Sequence, residues 1–263
     1  MGNLYEGPTE EINSAAAARF ADLARRAGAR RFVYASSCSI YGAGGAEMKS
    51  EHSTINPLTA YARSKVSCEQ ALRPHADPDF VVTCLRFATA CGASPRLRLD
   101  LVLNDFVASA LLTDEIKILS DGAPWRPLID VEDMCRAIAW ALTRDASQGG
   151  AHLAVNVGYN DQNYTIRDLA YAVQEQLPTA SVNINTAAPA DKRSYRVDFS
   201  LYASLNAQAK AGKPLAQTVR ELVDSIQASD FRTSAFRTSY LVRLHALSML
   251  RQRGRLDSAL RWT

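Results

Sequence analysis

The sequence predicts an α/β fold, and three stretches carry that expectation. Arg31-Phe-Val-Tyr-Ala-Ser-Ser37 is a β-branched and aromatic run that reads as a buried strand ending in hydroxyls. Phe80-Val-Val-Thr-Cys-Leu-Arg-Phe87 is a second such run, bounded by Asp77-Pro78 and by Gly92. Between them, the stretch from Tyr61 through Lys65, Val66, Glu69 and Leu72 follows a helical period. Strands alternating with helices imply a parallel sheet covered by helices.

The first element in chain order is a helix over residues 9–27, alanine-rich, with Ile12, Ala16, Phe20, Leu23 and Ala24 forming an apolar stripe and Gly28 closing it. The strand 31–37 follows. The glycines of Gly42-Ala-Gly-Gly-Ala46 come after a strand, but they lead through polar residues to Pro57 and not into a helix, so they do not form a phosphate cradle. They read as a rim of the site. No Gly-x-Gly-x-x-Gly occurs anywhere in the chain.

Tyr61 and Lys65 stand one helical turn apart, so their side chains leave the same face. A free phenol titrates near pH ~10. A cation beside it favours the phenolate and draws Tyr61 towards general acid/base work, while a hydroxyl at the end of the strand could hold a substrate oxygen. The simpler account of the same spacing is a solvated helix face.

Further on, residues 99–112 carry a helical period interrupted by Asn104-Asp105, and Ile116 to Leu119 reads as a short strand. Ser120 to Pro127 is turn-rich and holds Arg126, whose simplest role is to lie along Trp125. A helix reaches about Leu142, capped by Asp130 or Asp133. Thr165 caps another helix, residues 182–185 read as a strand, and Pro214 to Ile226 is a helix. The tail repeats Phe-Arg-Thr-Ser at 231–234 and 236–239, then forms an apolar and basic helix through Leu241, Leu244, Leu247 and Leu250. With Leu256, Leu260 and Trp262 it reads as a stripe that packs onto the body or onto a partner subunit.

With 263 residues and 47% hydrophobic composition the chain can bury one or two cores. A formal charge of +3 implies neither a nucleic-acid nor a membrane partner. The five cysteines lack metal-ligand spacing and the four histidines form no cluster, so the expectation is reduced thiols, a cytoplasmic location and no metal. No run is apolar over the ~20 residues a membrane helix needs, and the N-terminus lacks a signal-peptide pattern.

Ser-Ser-Cys-Ser-Ile-Tyr-Gly (36–42) followed by Tyr61-Ala-Arg-Ser-Lys65 resembles the extended short-chain dehydrogenase/reductase family, the nucleotide-sugar epimerases and dehydratases. Asn156-Val-Gly and the segment 191–198 extend the resemblance. It implies the C-terminal part of a Rossmann-like, doubly wound parallel sheet in residues 1–97, a substrate-binding region over 98–228 with strands returning to the sheet, and a helical tail over 229–263. It also implies NAD or NADP as cofactor, a nucleotide sugar as substrate, and is compatible with a homodimer. Carried over by position, Ser37, Tyr61 and Lys65 are catalytic; Asn13, Ser36, Tyr61, Lys65 and Ala88 meet the cofactor; Ser37, Thr89, Asn104, Arg126 and Arg193 meet the substrate, with Arg196 as the alternative to Arg193. A guanidinium suits a diphosphate because its planar fork gives two parallel charged hydrogen bonds.

Two departures stand out. Extended members open with a strand, a glycine-rich turn and further βα units, whereas this chain begins just before the helix carrying Asn13. Three explanations are open, in order of preference: the start of this sequence is not the biological one, conventional dinucleotide binding is lost, or another chain supplies the missing strands. Second, 4,6-dehydratases carry Asp-Glu directly after the catalytic hydroxyl, where this chain has Cys38-Ser39, which favours epimerisation or simple redox chemistry over loss of water. The alternative function is a non-catalytic remnant that binds a sugar nucleotide or acts as a scaffold.

Overall fold

A computed structural model describes residues 5–43, 45, 47–188, 194–209, 211–229 and 231–263. The chain opens with α1 (Glu6–Glu10), a π-helical turn (Glu11–Ala15) and α2 (Ala16–Arg26), then β1 (Arg31–Ser37), β2 (Met48–Lys49) and α3 (Ala60–Leu72). There follow β3 (Val81–Phe87), β4 (Thr89–Cys91), α4 (Val102–Thr113), β5 (Glu115–Ile118), β6 (Trp125–Asp130) and α5 (Val131–Thr143). Next come β7 (His152–Val157), β8 (Asn163–Thr165), α6 (Ile166–Gln176), β9 (Ser181–Ile184) and β10 (Arg196–Val197). The last helices are α7 (Ser200–Leu205), α8 (Leu215–Ala228) and α9 (Arg243–Gln252).

The central sheet is parallel, in the order β1-β3-β7, with Arg31 opposite Val81 and Val82 opposite His152. Successive side chains of a strand point to opposite faces. On β3, Val82 and Cys84 join a core with Ala21, Cys68 and Leu72 from α2 and α3. Leu85 and Phe87 join another with Ala137, Ala141 and Met134 from α5. Helices therefore cover both faces, as the near-continuous apolar run of β3 requires. Both ends of β1 and β3 are then fixed, and their C-terminal ends open at Ser37 and Phe87.

Outside the central sheet and the clusters on its two faces, a second core joins α4, α6 and α8 to β5 and β9, through Leu103, Val107, Ile116, Leu169, Val173, Val219 and Leu222. The turn at Gly92 links the two. Gly92 has φ +103°, and a Cβ there would lie 2.6 Å from Asp130 Oδ2, so only glycine lets Asp130 stay where it caps α5.

Several expectations are corrected. The first helix starts at Glu6, and the large residues of its stripe face outward: Ile12, Phe20 and Leu23 are 66%, 69% and 59% exposed, while Ala24 of that stripe packs inward with Ser14, Ala17 and Ala21. Small side chains let α2 approach the sheet closely. Residues 125–127 are strand, not turn, because β6 pairs with β8 over Trp125–Pro127 and with β4 over Leu128–Asp130. Asn104-Asp105 does not interrupt α4. In the tail Leu256 is buried but Trp262 is 70% exposed, so the proposed stripe is split; the anchor is Phe236, fully buried in the second core.

Candidate active site

Thr59 is extended and its hydroxyl accepts from Ala62 N, which starts α3 at Ala60 and sets Tyr61 in its first turn. Ser37, the last residue of β1, accepts from Ser39 N and caps a short turn over Cys38–Tyr41. These two caps place the hydroxyls of Ser37 and Tyr61 at the same C-terminal end of the sheet, near enough for Ser37 to favour the phenolate. Burial pushes the Tyr61 phenol up; Ser37 and the Arg98 guanidinium pull it back towards ionisation.

Lys65 is 8% exposed. Its ammonium donates to Ala35 O at 2.9 Å and lies 4.7 Å from the ring centroid of Tyr34 and 5.3 Å from that of Tyr61. Burial draws its pKa down, and Cys68 and Glu69 oppose this. Among the described residues that single hydrogen bond is the only one the amine makes, so two of its three N–H groups remain for a ligand. A ribose diol fits such donors, and Tyr61 beside them fits the same group.

Asn13 lies in the π-helical turn, a form frequent at functional sites. Its amide donates to Ser64 Oγ at 3.2 Å, and its carbonyl accepts from Tyr34 OH at 2.8 Å. Ser64 in turn donates to Tyr61 O at 2.8 Å, so Asn13 braces the first turn of α3. Ser36 faces away from Ser37 and donates to Glu69 Oε1. Ala88 is buried, with its N–H on Val157 O at 3.0 Å.

A cavity of about 840 Å³ lies beside these residues, with Thr89, Asp100, Lys117, Arg126 and Arg237 on its walls. Arg126 donates to Trp125 O at 2.7 Å and stacks 5.9 Å from the centroid of Tyr195. Tyr195 is buried against Thr89, and its pKa is pushed up by that burial. Arg98 bridges the two halves of the site: it influences Tyr61 and pairs with Asp100 at 2.8 Å.

Thr89 and Arg126 thus reach the cavity, whereas Asn104 does not line it. Asn104 is 1% exposed and spends its amide on the turn, accepting from Gly92 N and donating to Arg98 O. Arg193 lies outside the described residues; Arg196 stacks 5.1 Å from the Trp125 ring. The sequence reading missed Arg98, Asp100, Tyr195 and Arg237. It also missed the role of Glu69, although 61, 65 and 69 fall on one helical face and could have been read together.

Among known proteins the chain is 30% identical over 166 residues to the UDP-glucose 4-epimerase of Mycolicibacterium smegmatis, covering 62% of this chain and 51% of that one. The chain spans about half the length of the first curated relatives it matches. The solved structure of MoeE5 with UDP-glucuronic acid and NAD superposes with a TM-score of 0.69 at 25% identity, over 82% of this chain and 71% of that one. The UDP-Glc/GlcNAc 4-epimerase of Campylobacter jejuni shares the fold, with a TM-score of 0.70 at 21% identity over 86% and 73% of the two chains. No helix among the described residues is long and apolar enough to cross a membrane. Residues 3–158, more than half of the chain, match the model of the NAD dependent epimerase/dehydratase family, and the chain belongs to that family.

Proposed function

We propose that this chain is a nicotinamide-dependent nucleotide-sugar epimerase or sugar oxidoreductase in which Tyr61 moves the proton. The observation that carries the reading is the Lys65 ammonium, buried one turn along the helix from Tyr61 and 5.3 Å from its ring, with Ser37 at the strand end on the same side. Tyr61 takes the proton of a sugar hydroxyl, and Ser37 holds that oxygen in line. Lys65 is fixed on Ala35 O and faces two phenol rings, so its charge is placed before any ligand arrives. NAD or NADP, held by the free N–H groups of Lys65 together with Tyr61, supplies the hydride acceptor. Thr89 and Arg126 take the sugar nucleotide in the adjoining cavity.

Epimerisation or simple redox chemistry is favoured over dehydration. The Cys38 thiol is buried, donates to Arg86 O at 3.0 Å and is pushed well up by burial, so it neither gives nor takes a proton near neutrality. Ser39 Oγ is buried without a partner among the described residues. Eliminating water needs an additional acid and base, and these two positions supply neither.

A second reading, a sugar-nucleotide-binding module without turnover, is favoured by one feature. Lys65 donates to the Ala35 carbonyl and not to the phenol, while burial raises Tyr61. Incubation with UDP-glucose and NAD separates the two. The enzyme forms either the sugar epimer, with NAD unchanged overall because the hydride returns to the sugar, or an oxidised sugar with one NADH per turnover, and Tyr61→Phe lowers the rate by about 100-fold or more. Binding of UDP-glucose with neither an epimer nor an oxidised sugar formed supports the module, and unchanged turnover in Tyr61→Phe removes the assignment of Tyr61.

A further inference from the structure

The C-terminal segment contributes more than packing. Phe236 is wholly buried in the second core, and this fixes its neighbour Arg237 against the first two turns of α4. Arg237 Nε and Nη2 donate to the two oxygens of Asp105 at 2.9 and 2.8 Å, and Nη2 also reaches Ser109 Oγ at 2.7 Å. Asp105 and Ser109 are one turn apart, so the guanidinium is gripped along one edge. Its Nη1 makes no hydrogen bond among the described residues, and the side chain is 49% exposed on the wall of the cavity that Arg126 and Lys117 also line.

We propose that Arg237 is a specificity-determining cation of this cavity, binding the diphosphate of the nucleotide sugar through its Nη1 edge. The inference rests on the reading of the cavity as the sugar-nucleotide site. A carboxylate bound to one edge of a guanidinium orients the plane and leaves the other edge as a preformed donor, which avoids the entropy of ordering a long side chain on binding. Arg126 comes from β6, Lys117 from β5 and Arg237 from the tail, so cations from three separate elements meet one cavity. A group with more than one negative charge matches that arrangement better than a neutral sugar does. The second Phe-Arg-Thr-Ser thereby acquires a function: its Phe is the anchor and its Arg the ligand-facing cation.

The test is calorimetric titration of the full chain with UDP-glucose, with dTDP-glucose and with uridine, comparing wild type, Arg237→Gln, Arg237→Lys and Arg126→Gln. Loss of one charged hydrogen bond to phosphate weakens binding about tenfold or more. The expected result is that Arg237→Gln weakens both sugar nucleotides by that factor, leaves uridine unchanged, and is partly restored by Arg237→Lys. Equal weakening of uridine and the sugar nucleotides makes Arg237 a structural strap and overturns the proposal. If Arg126→Gln weakens the sugar nucleotides while Arg237→Gln does not, this inference fails and the cavity reading stands. If neither sugar nucleotide binds, or if Arg126→Gln has no effect, the cavity reading fails and the inference with it. Melting temperature checks that each variant is folded.

Discussion

Arg86 and Glu69 meet as a forked ion pair under the Ser37–Tyr61 site, with Arg86 Nε 3.0 Å from Oε1 and Nη2 2.7 Å from Oε2. Both side chains are close to fully buried. Ser36 completes the carboxylate, and Arg86 Nη1 donates to Tyr41 OH, which donates to Asn156 Oδ1 at 2.7 Å. The pair therefore ties α3, β1, β3 and β7 together where the site opens. Breaking a buried pair by removing one partner strands the other charge, at a cost of about 3–5 kcal/mol. Glu69→Ala is expected to lose that much stability in urea denaturation, and Glu69→Leu combined with Arg86→Met much less. A loss under about 1 kcal/mol for Glu69→Ala contradicts this account.

If Tyr61 moves the proton, as proposed, the pH dependence of the reaction has a sign that follows from its surroundings. Burial raises the phenol, so the free chain holds it protonated at neutrality, and Ser37 and Arg98 each favour the ionised form. A base with a raised pKa gives kcat/KM that climbs with pH on the alkaline side. Arg98→Gln and Ser37→Ala each remove a group that stabilises the phenolate, so each moves that limb to higher pH. Profiles of kcat/KM against pH check this, and a limb that stays in place for Arg98→Gln removes Arg98 from the site.

How far the sequence carried the site depends on the kind of interaction. Ser37, Tyr61 and Lys65 were legible because strand ends and helical spacing are local, and each of the three is placed by its own segment. Asn13 was legible as a position, but not the π-helical turn around it, since an i to i+5 hydrogen bond leaves no mark in composition. Ile12, Phe20 and Leu23 fit a helical period as well as Ala17 and Ala21 do, and apolarity favoured the large side chains, so that of the expected stripe Ala24 packs inward while Ile12, Phe20 and Leu23 face out. Pro124 and Pro127 hid β6, although the ladder changes from β8 to β4 just after Pro127. Arg98 and Arg237 reach the site only through tertiary contacts: Arg98 acts on a residue far earlier in the chain, and Arg237 pairs with Asp105 from the opposite end. Nothing in two near-identical Phe-Arg-Thr-Ser runs says which phenylalanine is buried.

Arg144 is the largest fully buried side chain, and among the described residues no carboxylate pairs with it. Its guanidinium instead donates to Thr83 Oγ1 and to the carbonyls of Val82, Gln148 and Gly150, at 3.0, 3.1, 2.8 and 2.7 Å, and more weakly to Asp145 O. Burial lowers its pKa, and the nearby Arg31 adds to that. One side chain thereby satisfies the turn between α5 and β7 and sews it to β3. Each buried acceptor left unpaired costs about 1–3 kcal/mol, so Arg144→Met is expected to lose about 3 kcal/mol or more in urea denaturation. Arg144→Lys, with three donors on one nitrogen, recovers only part. These contacts sit at the far end of the strands from Tyr61, so, if the cavity binds UDP-glucose as proposed, the folded variant binds it as the wild type does. A stability within about 0.5 kcal/mol of wild type for Arg144→Met contradicts the assignment.

His152, at the start of β7, gives stability its own pH dependence. Burial lowers its pKa from the ordinary value of 6.5, the Arg73 guanidinium lowers it further, and Glu69 opposes both. The unfolded chain then takes up the proton at a higher pH than the folded chain does. Between the two values the unfolded state holds more protons, so stability increases with pH across that window. The contribution is complete above pH 6.5 and is lost as pH falls through the lowered folded value. Urea midpoints measured from mildly acid to neutral pH should therefore rise for the wild type, with a smaller rise in His152→Gln, which keeps a polar group of similar length and cannot titrate. Equal slopes for the two proteins over that range would place the titrating group elsewhere.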